Sequence, residues 1–387
     1  MAIEVRPAVS RRDRREFLAL PFRLHANAPQ WCPPLLVERR FYLSRRFNPF
    51  FSHGDAQLFL ARRDGRVVGR ISAQVDDAYN SFHELRWGWF GFLELEDDQE
   101  VMDALLAAAE AWCRERGMER MVGPCDFTMN EESGIVVEGH DKVALIKQPW
   151  QPPYYQRLAE GAALGKAMDL LMWNLEVQDR SKVLPVMFDL AEKVESEHGI
   201  KLRKMSRLHL RKEMDRFAEV YNSAWSENWG FVPYGKKDLD QYALEMQLVY
   251  EKDWFMVAET SDGKTVGVAI SVPDLGKVLH KANGSPLKFV YWWLRRRSIM
   301  DRVRVGFLGI HPEFQHTGVA AAFYVEHFDV AGRHPRIHGG EMGWILESNE
   351  AMNRGMEMMG GRVVKRYRMY ERLFEGPGTG ADPAPAL

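Results

Sequence analysis

The chain has 387 residues, 46% of them hydrophobic and 27% charged, enough for two ordinary domains with a buried core in each. Its 52 basic and 54 acidic residues leave a net charge of −2, which removes the electrostatic case for a nucleic-acid binder. The three cysteines, Cys32, Cys113 and Cys125, form no C-x-x-C pair, so a disulfide framework and a zinc knuckle are disfavoured and a reducing cytoplasm is expected. The opening MAIEVRPAVSRRDRREF reads as a strand and a charged segment rather than a secretory signal, and no run approaches the roughly 20 apolar residues of a membrane span.

In chain order, residues 3–9 alternate as a strand and 11–25 read as a helix. Residues 31–54 are basic, aromatic and proline-containing, with Arg39, Arg40, Phe41, Tyr42, Arg45, Arg46, Phe47, Phe50 and Phe51. Strands at 57–61 and 67–75 flank the turn Arg63-Asp64-Gly65, and 89–95 is a third. Asp97 followed by Glu100 resembles a capping box, opening a helix whose Val101, Leu105, Ala108, Ala109 and Trp112 recur at helical spacing up to Gly117. A strand at 118–123, a loop through Asn130–Gly134, a short helix from Pro153 and a strand at 168–177 complete the first half. The order then recurs: strand 202–205, helix 210–225, strands 254–258 and 265–272 about Asp262-Gly263, strand 304–310, a glycine-bearing turn, a helix to Arg333, strand 336–346, helix 349–359 and strand 363–370. Residues 376–387, rich in Gly, Pro and Ala, are expected to be a disordered tail.

The chemistry concentrates in Gln315-His316-Thr317-Gly318-Val319-Ala320, after a strand that exits through Ile310-His311-Pro312. A helix starting here presents unsatisfied N–H groups and the positive end of its dipole, both suited to an anion. Gly318 permits close backbone approach, and Ala320 keeps the first turn small. Phe323, Tyr324, Phe328 and Ala331 continue as a buried face. This passage resembles the pyrophosphate-binding region of the GNAT superfamily, the general N-acyltransferases, whose pattern Q/R-x-x-G-x-G/A is met by Gln315, Gly318 and Ala320. The resemblance implies an α/β fold of two tandem GNAT-like domains, each a mixed, mainly antiparallel sheet flanked by helices. It places them at 1–178 and 179–375, with the first degenerate, because its loop Leu95-Glu96-Asp97-Asp98 has no glycine and would repel a diphosphate. It further implies acyl-CoA as co-substrate, held by Leu308, Ile310, Gln315, His316, Thr317, Gly318, Val319 and Ala320. Asn349 and Gly360 keep the register of the family's later helix. Met352, Met356 and Gly361 depart from it, and Met356 stands where a tyrosine often protonates the leaving thiolate.

Acyl transfer to an amine needs proximity, a base and a polarised thioester carbonyl. Glu347 is the candidate base and equally a helix N-terminal carboxylate; His311 is a second candidate and equally a turn residue. Asn349 either orients a group at the site or caps its helix. No histidine has ligand-spaced partners, so a metal is not expected. Lys288-Phe289-Val290-Tyr291-Trp292-Trp293-Leu294-Arg295-Arg296-Arg297 suits a membrane headgroup layer or a long amphipathic acceptor, and equally a helix with a buried aromatic face and solvated arginines. The expected function is acyl transfer from acyl-CoA to a small-molecule or lipid amine, extending to a long-chain amino alcohol as in ceramide formation. The expected place is the cytoplasm, with peripheral contact at the inner membrane face. A non-catalytic CoA-binding or scaffolding protein and an aminoacyl-tRNA-dependent transferase are the alternatives.

Overall fold

A computed structural model describes residues 2–176 and 179–374, so the proposed tail lies outside the described residues. The chain divides into two compact units that interleave along the sequence. The first gathers residues 2–170, 278–294 and 365–374; the second gathers 171–176, 179–277 and 295–364.

The elements of the first half are β1 (Glu4–Pro7), α1 (Arg11–Leu24), α2 (Leu36–Tyr42), β2 (Gly54–Arg63), β3 (Arg66–Asp76), α3 (Asp77–His83), β4 (Trp87–Leu95), α4 (Gln99–Arg114), β5 (Arg120–Gly123), β6 (Ile135–Glu138), α5 (Tyr154–Gly161) and β7 (Gly165–Glu176). Then follow α6 (Pro185–His198), β8 (Lys201–Lys204), α7 (Leu210–Ala224), α8 (Lys236–Val249), β9 (Phe255–Glu259), β10 (Thr265–Pro273), α9 (Gly276–Ala282), α10 (Pro286–Leu294), α11 (Arg296–Ile299), β11 (Arg302–Ile310), α12 (Val319–Arg333), β12 (Gly339–Leu346), α13 (Glu350–Met358) and β13 (Arg362–Leu373).

In the first unit the strands lie in the order β1-β2-β3-β4-β5-β13 and the first half of β7, with β6 on β13. Neighbours from β1 to β4 are antiparallel, and β4 and β5 are parallel. Helix α4 buries Val101, Met102, Leu105, Leu106, Ala109, Trp112 and Cys113 against this sheet, each large side chain contributing roughly 1.5–3 kcal/mol. Its cap is Asp98, not Asp97, because Asp98 is the last extended residue and accepts from the N–H groups of Glu100 and Val101.

The second unit orders its strands as the second half of β7, then β12-β11-β10-β9-β8. Helix α7 packs Phe217 and Tyr221 on one face of this sheet, while α12, flanked by α6, covers the other. Helices α6 and α8 have little apolar periodicity. Only Met187 and Val194 of α6, and Ala243 and Met246 of α8, are fully buried, so neither stands out as an amphipathic stripe in the sequence.

Candidate functional site

Strand β11 carries a bulge. Ile270 and Ser271 of β10 pair with Phe307 and Val305, leaving Gly306 as the extra residue. The bulge reverses the alternation, so Val303, Val305 and Leu308 share the side facing α12. Phe307 turns the other way, against Phe217 and Trp225. The parallel register of β11 with β12 runs from Arg302–Gly339 to Val305–Met342, although β11 continues to Ile310 and β12 to Leu346. A fork therefore opens between the two strands.

On the α12 side of this pair lies a small apolar recess of about 40 Å³, lined by Val305, Leu308, Tyr324, Phe328, Ala331, Met342 and Trp254 among others. Its polar contributors are His327 and Glu341. His327 Nδ1 lies 2.6 Å from the Phe323 carbonyl, which only accepts, so Nδ1 donates and Nε2 takes a hydrogen bond from Ser271 Oγ at 2.7 Å. Burial pushes its pKa down to about 4, and the recess keeps a neutral imidazole.

The expected co-substrate loop follows. Leu308 and Ile310 are buried on β11. Pro312–Thr317 forms a 3₁₀ turn closed by Thr317 Oγ donating to the Phe314 carbonyl at 2.6 Å. Gln315 and His316 are exposed, Val319 is buried and Ala320 is partly exposed in the first turn of α12. Gly318 sits at φ +81°, and a Cβ there would lie 3.0 Å from the Leu190 carbonyl of α6. Its left-handed backbone and the approach of α6 thus account for glycine at this position without any ligand.

Both strands end at the same side of the parallel pair, which brings His311, Glu347 and Asn349 to one end of the fork. His311 follows β11 with Nδ1 3.1 Å from Glu313 Oε1. Glu347 is half-buried just beyond β12. Asn349 caps α13, its side-chain oxygen accepting from the Met352 N–H at 3.1 Å. Met356 is wholly buried on α13. Tyr324, reaching in from α12, has its hydroxyl 3.7 Å from where a Gly355 side chain would begin, and burial pushes its pKa up to about 12.

The first unit holds a polar cluster that no motif announces. Arg70 and Glu94 are direct cross-strand partners, beside a β4 bulge at Phe92, whose φ is +48°. The Glu94 carboxylate accepts from Tyr155 Oη at 2.7 Å, and its Oε2 lies 2.8 Å from His25 Nε2. Burial alone would raise its pKa, but His25, Arg70 and Tyr155 together hold it below the usual carboxylate range. The Phe92 N–H donates to Asp126 Oδ1 at 2.9 Å, and Arg39 pairs with both Asp126 and Glu132. The contributors lie at positions 25, 39, 70, 94, 126 and 155, too scattered to form a pattern in the sequence. Beyond the short β4–β5 register, Cys125 N–H donates to the Phe90 carbonyl at 2.8 Å. The chain itself thus lines β4 where the second unit has its fork.

Burial, helped by Glu132, pushes Asp126 up to about 7 from 3.8. The native state therefore binds more protons than the unfolded chain across that interval, and this group's contribution to stability falls as pH rises through it. Asp126→Asn keeps the oxygen that Phe92 needs. The Tm of the variant relative to wild type is expected to climb steadily from pH 4 to 7, and a constant difference would refute the assignment.

A family model described as "Acetyltransferase (GNAT) family" matches residues 24–133, in the half whose loop lacks the glycine pattern. A bacterial ceramide synthase of Caulobacter vibrioides is 33% identical over 383 residues, covering 96% of this chain and 98% of that one. Protein YghO of Escherichia coli is 31% identical over 374 residues, 95% of each chain. Among solved structures, a tandem GNAT protein from the clavulanic acid biosynthesis pathway superposes with a TM-score of 0.58 at 15% identity, covering 98% of this chain and 100% of that one. A GCN5-related N-acetyltransferase from Sphaerobacter thermophilus gives 0.51 at 14% identity, with 96% and 95% covered.

Proposed function

The chain belongs to the GNAT superfamily of N-acyltransferases, as a tandem-domain α/β enzyme, and we propose that it moves an acyl group from acyl-CoA to the amine of a long-chain amino-alcohol lipid, a ceramide-type N-acylation. The observation that carries this reading is the fork between β11 and β12 opening beside an apolar recess. We assign acyl-CoA to the second of two domains, 179–375, with its diphosphate at Gln315–Ala320 and its thioester carbonyl beside Leu308–Ile310. The first methylenes of the acyl chain enter the recess. The first domain, 1–178, holds no diphosphate, since Cys125 and Asp126 occupy the corresponding strand edge. The work is done at the cytoplasmic face of the inner membrane.

In the reaction the neutral amine attacks the thioester carbon, the C–S bond breaks and CoA leaves as a thiolate. Glu347, half-buried just beyond β12 at the open end of the fork, is our choice to take the ammonium proton. Met356 supplies no proton, which the low basicity of a thiolate tolerates.

The test is release of free thiol from acetyl-, octanoyl- and palmitoyl-CoA in the presence of a long-chain amino alcohol or a short amine. Each methylene newly buried in the recess is expected to raise kcat/KM by up to about fourfold. Ala331→Phe, which fills the recess, should shift the preference to shorter chains and leave acetyl transfer in place. No thiol release from any acyl-CoA would make the protein a non-catalytic binder. Equal rates with a short amine would remove the lipid acceptor.

A further inference from the structure

We propose that α10 is a docking element that lays this enzyme on an anionic lipid bilayer. The 26 residues between Asp274 and Asp301 include six basic ones, Lys277, Lys281, Lys288, Arg295, Arg296 and Arg297, and no acidic one. Within this run α10 has no fully buried residue. Leu287, Val290, Tyr291 and Leu294 occupy the i, i+3, i+4 and i+7 positions of one face and are 83%, 55%, 50% and 71% exposed. The half-buried side is Phe289, Trp292 and Trp293, with Lys281 Nζ 4.4 Å from the centre of the Trp292 ring. A helix on a water-facing surface puts polar residues outward; this one puts an apolar stripe there, which something must cover.

The same unit repeats the composition next door. The loop leading into α10 touches α2, where the Leu36 N–H donates to the Gly284 carbonyl at 3.4 Å. From α2 onward Phe41 and Phe47 are exposed with their rings 5.4 Å apart, beside Arg40, Arg45 and Arg46.

Charge identifies the occupant. Lys277 pairs with Asp301, and Arg296 and Arg297 with Glu251, so the charge beside the stripe is that of exposed Lys288 and of Lys281 against Trp292; these match phosphate headgroups above an acyl layer, with Tyr and Trp at the level between them. A second copy of this chain would set the same basic run against itself, apposing like charges across a self-complementary contact. At nine residues, α10 is about 14 Å long and cannot span a bilayer, so it lies along the surface. No helix among the described residues is long and apolar enough to cross a membrane.

The experiment is flotation of the full chain with vesicles of phosphatidylcholine alone or mixed with phosphatidylglycerol. Wild type is expected to float with the mixed vesicles and far less with phosphatidylcholine alone, and high salt should weaken the binding. Leu287→Glu/Leu294→Glu should cut the bound fraction at least tenfold while Tm and thiol release from a soluble acyl-CoA and amine stay at wild-type levels. Wild type that never floats, or a double variant that floats as well as wild type, overturns the proposal. It is equally overturned if wild type stays unbound and the double variant merely converts a dimer to a monomer in light scattering. Flotation reads no turnover, so loss of the acyl-transfer reading leaves this result standing, and the reverse.

Discussion

Ala320→Glu is expected to raise the KM for acyl-CoA by about fivefold to about a thousandfold while the protein stays folded. Ala320 lies in the first turn of α12 and is partly exposed. A carboxylate at a helix N-terminus interacts favourably with the dipole, by about 0.3–1 kcal/mol, so Tm should hold or rise slightly. A bound diphosphate would meet the same carboxylate at close range. Two like charges about 4 Å apart repel by about 1 kcal/mol in water and about 4 kcal/mol at an effective surface dielectric, which sets the expected span. Steady-state kinetics over a range of acyl-CoA, with Tm measured alongside, separates the two effects. An unchanged KM would move the diphosphate away from α12. Gly318 is the poorer probe, because φ +81° and the Leu190 carbonyl penalise any side chain there, whatever binds.

Glu94→Leu is expected to destabilise the protein by about 3–5 kcal/mol, because it leaves the Arg70 guanidinium and the Tyr155 hydroxyl buried without their carboxylate. Glu94 and Arg70 side chains are both nearly buried, so solvent screening does little to reduce the effect. The Glu94 carboxyl titrates lower in the folded state than its ordinary 4.5. Its contribution is therefore complete above that value and is lost as pH falls through the lower folded one, so the gap between variant and wild type should narrow in acid. Urea unfolding at pH 7 and in acid measures both. Pairing the change with Arg70→Met should recover part of the loss, since removing both charges avoids the orphaned one. A loss below about 1 kcal/mol, or no recovery in the double variant, would show that the cluster is not held by this carboxylate. Acyl transfer per folded molecule should be unaffected, since these groups belong to the first unit.

Much of the architecture is legible because it is local. The alternation at β2 and β3, the 3.6-residue stripe of α4 and the strand–turn–helix run from β11 into α12 each lie within about 30 residues, and their order implies the tandem GNAT-like fold. The Gln315–Ala320 pattern is legible for the same reason. The charged residues of the first unit are not. His25, Arg70, Glu94, Asp126 and Tyr155 meet only because β3 and β4 pair and the chain after β5 folds back along β4. That return is so close that a Cβ on Gly91 would lie 1.8 Å from the Cys125 carbonyl. Nothing in the spacing of these residues encodes the meeting.

The aromatic and basic run at 288–297 divides the two kinds of information cleanly. Its composition and helical period are written in the sequence, which leaves open a buried aromatic face with solvated arginines. Only tertiary packing decides which face is turned outward, and it leaves Leu287, Val290, Tyr291 and Leu294 in solvent. The sequence by itself determines the strongly periodic elements, their order and the Gln315–Ala320 pattern, though not α6 or α8, because hydrogen-bond periodicity and turn chemistry act over a few neighbours. Which surface each element covers, and which charges share a buried space, depends on contacts between residues far apart in the chain, and those exist only once it has folded.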